Sequence, residues 1–405
     1  MKKMFIPFSL PSLGNEELEE VADTLKSGWL TTGPKTKKFE TDFADYIGCK
    51  HAVAVNSCTA ALHLALDAIG VGPDDYVITT PMTFAATAEV IRYFGAKPVF
   101  VDVEEGTMNI DPDLLEKLLK GMRADEIAKV KAVMPVHMAG QPCRMDEIMH
   151  IAKTYGLKVV EDAAHTLPAR YKGRMVGTIG DITAFSFYAT KCITTGEGGM
   201  VSTDNEEYAE RMRVMSLHGI SKAAWKRYTA EGSWYYEINY PGFKYNMADI
   251  VSAVGIQQLK KADRLLEIRR RHAEAYNSAF SGMPGVELPE IIPEVEHSWH
   301  LYVIKLELEK LMIDRAAFIE ELRKKGIYAS VHFIPLHMHP YYRNTYGYRP
   351  EDYPVAAGLY ERIVSLPFYP KMTDDELRYV MGSVIETLED NLVAGGTQGS
   401  LGVAA

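Results

Sequence analysis

Two short stretches of the chain hold residue types that could do amine chemistry. In residues 181–200, the strand-like run Ile182-Thr183-Ala184-Phe185-Ser186-Phe187-Tyr188 delivers Lys191 into a loop ending in Gly196, Gly198 and Gly199. Lysine is rarely fully buried unless paired, and desolvation lowers its pKa, which makes it a usable amine nucleophile. Most lysines after strands simply point into water, so a second observation is needed. It comes from Leu157-Lys158-Val159-Val160-Glu161-Asp162-Ala163-Ala164-His165, an apolar strand that ends in the carboxylate of Asp162. A Schiff-base lysine and a carboxylate for a pyridinium nitrogen are what pyridoxal phosphate chemistry asks of a protein.

The elements that must position these groups follow an alternating pattern. Strands are predicted at 53–56, 76–80, 98–101 and 130–135, with helices near 60–66, 84–94, 111–120 and 143–155. Repeated strand–helix units give an α/β fold with a mostly parallel sheet covered on both faces. Ligands of such sheets sit outside the carboxyl ends of the strands. Ser57, Cys58 and Thr59, then Thr83 and Phe84, Asp162, and Ser186 to Lys191 all lie at or just past such ends. The turn at 57–59 offers free N–H groups and a helix dipole to an anion, and Ser186 adds a hydroxyl.

Upstream, a helix capped by Asn15 is expected to run to about 26, followed by a glycine- and hydroxyl-rich loop over 27–34. Downstream, a helix is expected at 204–216 and an irregular aromatic loop at 233–236, packed at a subunit interface. One long helical pattern from 248 to 280 leads into an α+β set, with strands at 298–306 and 329–334 and helices at 313–325 and 373–389. The resulting division is a large cofactor-binding domain over 13–260 and a smaller C-terminal α+β domain over 261–393. Residues 1–12 are expected to pack on the smaller domain, and the glycine-rich tail 394–405 to be disordered.

Composition narrows the class. A length of 405 residues suggests about two to three domains. A net charge of −10 argues against a nucleic-acid surface, although local donors could still hold an anionic ligand. Cys49, Cys58, Cys143 and Cys192 form no C-x-x-C pair, as expected of reduced thiols in a cytoplasm. The start reads as neither signal peptide nor membrane span, and no apolar run reaches about 18 residues. Gly196-Glu197-Gly198-Gly199 does not extend to G-x-G-x-x-G because Val201 takes the last place, and no P-loop occurs. His337 and His339 read as loop histidines rather than metal ligands.

The stretches EDAAH, SFYATKCITTGEGG and GFKYNMADI, in that order, resemble the DegT/DnrJ/StrS family of sugar-nucleotide aminotransferases. The similarity runs from about residue 7 to 389, and its nearest likeness is to members that aminate UDP-4-keto sugars, such as the 4-amino-4-deoxy-L-arabinose enzyme. The resemblance implies a fold-type I aminotransferase using pyridoxal 5′-phosphate, a homodimer with shared active sites and no membrane or nucleic-acid partner. It implies transfer from L-glutamate to the C4 keto carbon of a UDP-linked sugar, for surface polysaccharide or amino-sugar synthesis. It gives Lys191 the Schiff base and a proton-carrying role, Asp162 the pyridinium nitrogen, His165 the ring's phenolic oxygen and Phe84 the ring face. It further gives Asn246 the phosphate bound by the other subunit, and Trp29, Thr31, Tyr188, His332 and Tyr342 the sugar side. Tyr188 stands where arabinose-type members have histidine. Lys244-Tyr245-Asn246 replaces the commoner Asn-Tyr-Arg and, with the segment from His218 to Trp225, favours C4. The rivals are a 3-keto sugar aminotransferase, a sugar dehydratase using the amine form of the cofactor, and a non-catalytic regulator. The dehydratase would carry histidine for Lys191, and the regulator would have lost Lys191 or Asp162.

Overall fold

The computed structural model describes residues 4–220 and 235–393. The sequence expectations for Ala224-Trp225, Ser233-Trp234 and the tail 394–405 lie outside the described residues.

The chain opens with α1 (Asn15–Ser27) and α2 (Pro34–Ile47). Asn15 is the first helical residue rather than the cap: Gly14 takes that place, and its N–H donates to Glu17 Oε2 at 2.7 Å. Alternation follows through β1 (His51–Val55), α3 (Cys58–Ala68), β2 (Tyr76–Thr79), α4 (Ala85–Tyr93) and β3 (Lys97–Phe100). It continues through α5 (Pro112–Gly121), α6 (Ala124–Ile127), β4 (Val130–Val133), α7 (Met145–Tyr155) and β5 (Lys158–Asp162). A short hairpin, β6 (Arg170–Tyr171) and β7 (Arg174–Met175), precedes β8 (Ile182–Ser186), β9 (Gly199–Thr203) and α8 (Glu206–Ser216).

Seven of these strands form one sheet in the order β1-β9-β8-β5-β4-β2-β3. The pairs β8–β5–β4–β2–β3 are parallel, whereas β9 runs antiparallel to both of its neighbours. Strand alternation divides the side chains between two apolar layers. Val53, Val55, Val160, Ile182 and Val201 pack with α3 and α8 on one face. Ala52, Ala54, Phe185 and Met200 pack with Phe39 and Phe43 of α2 on the other, where Val133 and Val159 meet Met145 and Ile148 of α7. Every side chain from Ala60 to Leu66 of α3 is buried, so this helix is a core element, and its N-terminus is fixed against the sheet.

The helical pattern expected from 248 to 280 is two helices, α9 (Asp249–Lys260) and α10 (Ala262–Phe280). The break falls at Lys261, whose N–H turns back to Gln258 and whose ammonium reaches Glu16 and Glu17 of α1. Next come β10 (Val286–Glu287), β11 (Val295–Glu296), β12 (Tyr302–Leu306), α11 (Arg315–Lys324), α12 (Pro340–Tyr346), α13 (Pro354–Arg362), β13 (Ile363–Leu366) and α14 (Asp374–Glu389). Strands β10, β12 and β13 form a second, antiparallel sheet. Its core holds Tyr276, Tyr302, Phe318, Val380 and Val384, and Ile6 from the chain start is fully buried among them.

Two strand expectations are corrected. The strand proposed at 298–306 begins at Tyr302, because Ser298 and Leu301 instead donate their N–H groups to Gly140 and Ala139. No strand forms at 329–334; only Ser330 pairs, with Ser365, and the residues after it turn toward the site described next.

Candidate active site

Four strand ends meet over one cavity of about 460 Å³. Its lining includes Ser57, Cys58 and Thr59 after β1, Thr83 and Phe84 after β2, and Asp162 at the end of β5. Ser186 at the end of β8, then Tyr188, Lys191 and Gly198, form another wall, and His165, His300, His332 and Phe333 close the far side.

The loop bearing Lys191 is shut on itself. Phe187 donates its N–H to Gly198 O and accepts from Thr195 N, both at 2.9 Å, so the loop starts and ends at one residue. Lys191 N donates to Tyr188 O, and the side chain is left facing the cavity. Burial pushes the ammonium below its ordinary pKa, while Cys58 and Asp162 oppose that shift.

Asp162 is 5 % exposed and accepts two hydrogen bonds, from Thr87 Oγ1 at 2.7 Å and Ala164 N at 3.1 Å. Thr87 is itself tied to Thr83. Burial pushes this carboxyl up, against the pull of Thr87, Ala164 and Lys191. Among the described residues no cation lies within ion-pair distance of it. A buried carboxylate without an ion-pair partner is costly, and this one borders an open cavity. A cationic group entering the cavity would supply the partner this carboxylate lacks.

Space for an anion is made at the other end. Ser57 caps α3, its Oγ accepting from Ala60 N, with Cys58 and Thr59 in the first turn. A Cβ on Gly199 would fall 2.6 Å from Ser57 O and 2.8 Å from Cys58 N, so a bare backbone is what lets β9 pass beneath this turn. Cys58 sits as a neutral thiol, its pKa raised well above normal by burial and by Asp162. Between the two ends, Phe84 leaves 63 % of its surface exposed, an open face for a planar ring. The residues present thus suit a group with a cationic ring nitrogen, a flat face and a phosphate.

His165 is buried, and burial first, then Lys191 and His332, hold it well below the usual histidine range. His332 is pushed down to about 4 by burial and Lys191; its Nδ1 lies 2.9 Å from Ser365 Oγ. Phe8 stacks on His332 at 5.2 Å, and Tyr188, 47 % exposed, stands at the mouth.

A profile of the DegT/DnrJ/EryC1/StrS aminotransferase family matches residues 11–385. The chain belongs to this family. It is an aminotransferase, and the family depends on pyridoxal 5′-phosphate. The chain is 51 % identical over 387 residues to the spore coat polysaccharide biosynthesis protein SpsC of Bacillus subtilis, covering 95 % of this chain and 97 % of that one. Spr1654 of Streptococcus pneumoniae, described as a sugar aminotransferase and solved in its PLP form, superposes with a TM-score of 0.87 at 36 % identity, over 96 % of this chain and 99 % of that one. PseC of Helicobacter pylori, an aminotransferase involved in pseudoaminic acid biosynthesis, gives 0.87 at 30 % identity, over 96 % of this chain and 100 % of that one. The fold is that of the fold-type I enzymes of the family.

Four residues expected in the family's site are not on the lining of this cavity. Tyr342 is 3 % exposed and belongs to an aromatic cluster with Phe100, 5.8 Å away, rather than to the lining of the cavity. Trp29 and Thr31 occupy the loop between α1 and α2; Trp29 Nε1 donates to Thr32 O, and Thr31 O accepts from Asp249 N. Asn246 donates to Thr32 Oγ1 and accepts from Lys244 Nζ, both at 2.6 Å, which gives Lys244 a local partner. Conversely, the cavity gathers Phe8, Thr87, His300 and Phe333, which sequence reasoning missed. Thr87 had a signal, being one helical turn beyond Thr83 on the same face; Phe8 and His300 had none.

Proposed function

We propose that this sugar aminotransferase moves an amino group from L-glutamate to the C4 keto carbon of a UDP-linked sugar. The observation that carries the reading is the pairing of a desolvated Lys191 with an ion-pair-free Asp162 on the lining of one cavity with an aromatic mouth. Bound pyridoxal phosphate supplies an electrophilic carbonyl and an electron sink that carries nitrogen from donor to acceptor. Burial lowers the pKa of Lys191, so that Nζ gives up its proton more readily than a solvated lysine and would attack as a free amine and afterwards carry a proton. Asp162 would hold the proton on the ring nitrogen, Phe84 would cover the ring, and the turn at 57–59 with Ser186 would hold the phosphate.

His332, neutral near pH 7, can give or take a proton on the sugar side, and Phe8 and Tyr188 offer apolar and hydroxyl surface to a pyranose. The sugar reading is supported by SpsC and PseC, whose names tie them to polysaccharide and pseudoaminic acid synthesis. A UDP handle and the C4 position rest on the Lys244-Tyr245-Asn246 motif. The working form in this reading is a homodimer. Trp29, Thr31 and Asn246 lie off their own cavity and would serve the partner subunit's site. We place the reaction in the cytoplasm, a setting that suits four free cysteines. Among the described residues no helix is long and apolar enough to cross a membrane.

The test is a single-turnover comparison of the two half-reactions with glutamate and with UDP- and dTDP-linked 3- and 4-keto sugars. The UDP-4-keto sugar should regenerate the aldehyde form of the cofactor fastest. A faster 3-keto substrate would overturn the regiochemistry, and His332→Asn should slow the sugar half while sparing the glutamate half.

A further inference from the structure

His332 reaches the cavity from a segment outside the strands and helices, yet its ring is held on several sides. Phe8 stacks on one face, 5.2 Å between centroids at 26°, and the Phe333 ring meets it at 5.0 Å and 80°. Such apolar contacts fix the plane of an imidazole but not its flip. A half-turn about Cβ–Cγ keeps the ring outline while exchanging Nδ1 with Cδ2 and Nε2 with Cε1, and that torsion is broad and roughly two-fold. Only a polar contact can choose between the two settings. Here it is Ser365 Oγ, 2.9 Å from His332 Nδ1.

Ser365 is well placed to make that choice. It lies in β13, fully buried, opposite Val303 of β12. On its other side Ser330 N donates to Ser365 O at 2.9 Å, and Ser330 O accepts from Ser365 N at 2.8 Å. One residue thus anchors the 330–332 segment twice, by backbone at Ser330 and by side chain at His332. The direction of the side-chain bond follows from what each group lacks. His332 is the sole hydrogen-bond partner of Ser365 Oγ among the described residues. If the imidazole donated, the hydroxyl proton would be sealed in the sheet without an acceptor. If the hydroxyl donates, its proton and the Nδ1 lone pair are both matched. A neutral imidazole that accepts at Nδ1 carries its one proton on Nε2, and burial keeps this ring neutral near pH 7. Nε2 makes no hydrogen bond among the described residues and is not sealed from solvent, so it opens on the cavity that the ring lines.

We infer that Ser365 is a positioning residue: its hydroxyl donates to His332 Nδ1, holds the ring against flipping and keeps an Nε2–H donor directed into the cavity. The inference rests on the proposed sugar-side role of His332, where that donor would meet an oxygen of the sugar. Ser365 is not on the cavity lining, so its whole effect on the reaction runs through His332.

The experiment uses ¹⁵N-histidine-labelled holoenzyme, with the His332 signals assigned by their loss in His332→Asn. Wild type should show His332 as one neutral tautomer, protonated on Nε2 and accepting at Nδ1. Ser365→Ala should give a tautomer mixture, and Ser365→Thr, which keeps the hydroxyl, should keep the wild-type spectrum. In single turnovers Ser365→Ala should slow the sugar half-reaction about tenfold, the scale of one hydrogen bond, and spare the glutamate half. In a His332→Asn background the same change should slow it no further, because the group it serves is gone. A wild-type His332 protonated on Nδ1, or an Ala spectrum identical to wild type, would overturn the inference. So would equal slowing of both halves, or a loss that adds in full to that of His332→Asn. If the added methyl of Ser365→Thr is not accepted in the sheet, the wild-type and Ser365→Ala spectra still decide. A His332→Asn enzyme with an undiminished sugar half-reaction would instead count against the sugar-side reading, and the nitrogen spectra would still judge the Ser365 contact.

Discussion

Glu161 and Asp162 are adjacent buried carboxylates on β5, yet strand alternation sends them to opposite faces and to opposite fates. Glu161 is fully matched. Its Oε2 accepts from His137 Nε2 at 2.9 Å, and its Oε1 from Gly180 N at 2.7 Å and Thr183 Oγ1 at 2.8 Å. His137 Nδ1 accepts from Cys143 N, so the His137 proton belongs on Nε2. Burial pushes the Glu161 carboxyl up, but these donors outweigh it and the net shift is downward. Asp162 has two donors, an upward net shift and a cavity in front of it. A buried carboxylate with its donors complete is tied into the fold, whereas one left short of partners beside a cavity has capacity left to take a ligand.

The comparison can be broken by exchanging losses. Glu161→Ala should cost about 3–5 kcal/mol of unfolding free energy, the range for removing one member of a buried charged network, while each folded molecule still binds cofactor. Asp162→Asn should do the reverse. Amino transfer should drop by about 10²–10³-fold, the scale of losing one preorganised electrostatic contact, with the melting temperature of the cofactor-free protein unchanged or raised. Denaturant titration and half-reaction kinetics on both variants read the two effects. Loss of stability in the second, or of chemistry without stability loss in the first, would erase the distinction.

A smaller effect sharpens it through pH. His332 is held at about 4 in the folded protein, against about 6.5 for an unfolded histidine. Its folded pKa is depressed, so the stability it contributes is complete above the unfolded value and is lost as pH falls from about 6.5 toward 4. His332→Asn should flatten the stability–pH slope in that window by up to one proton, about 1.4 kcal/mol per pH unit, and leave the slope above pH 7 alone.

What could be read from the sequence was whatever short-range pattern encodes. Asp162 ends one strand with a strong apolar run and Lys191 lies in the loop just past another, and strand ends are where an α/β sheet places its ligands. The alternating Val331-His332-Phe333 looked like a strand, but residues at a cavity wall gave up ladder pairing, and only Ser330 keeps it. Phe8 lies in a proline-broken stretch with no periodicity, and its place over His332 depends on Ile6 docking beside Ile327, more than three hundred residues along the chain. Tyr342 shows the converse: its motif position pointed to the sugar, while its burial with Phe100 is a tertiary outcome that no local pattern carries. Glu161 was equally invisible, because its three donors come from His137 and from residues 180–183, each about twenty positions away along the chain.

The most direct measurement is borohydride reduction of the holoenzyme followed by peptide mass mapping, on wild type and on Asp162→Asn. The visible cofactor band should vanish on reduction, with a stable pyridoxyl mass on the peptide containing Lys191 in both proteins, because Asp162 tunes the ring and does not bear the bond. A pyridoxyl adduct on any other lysine, or no adduct at all in a protein that transfers amino groups, would contradict the account.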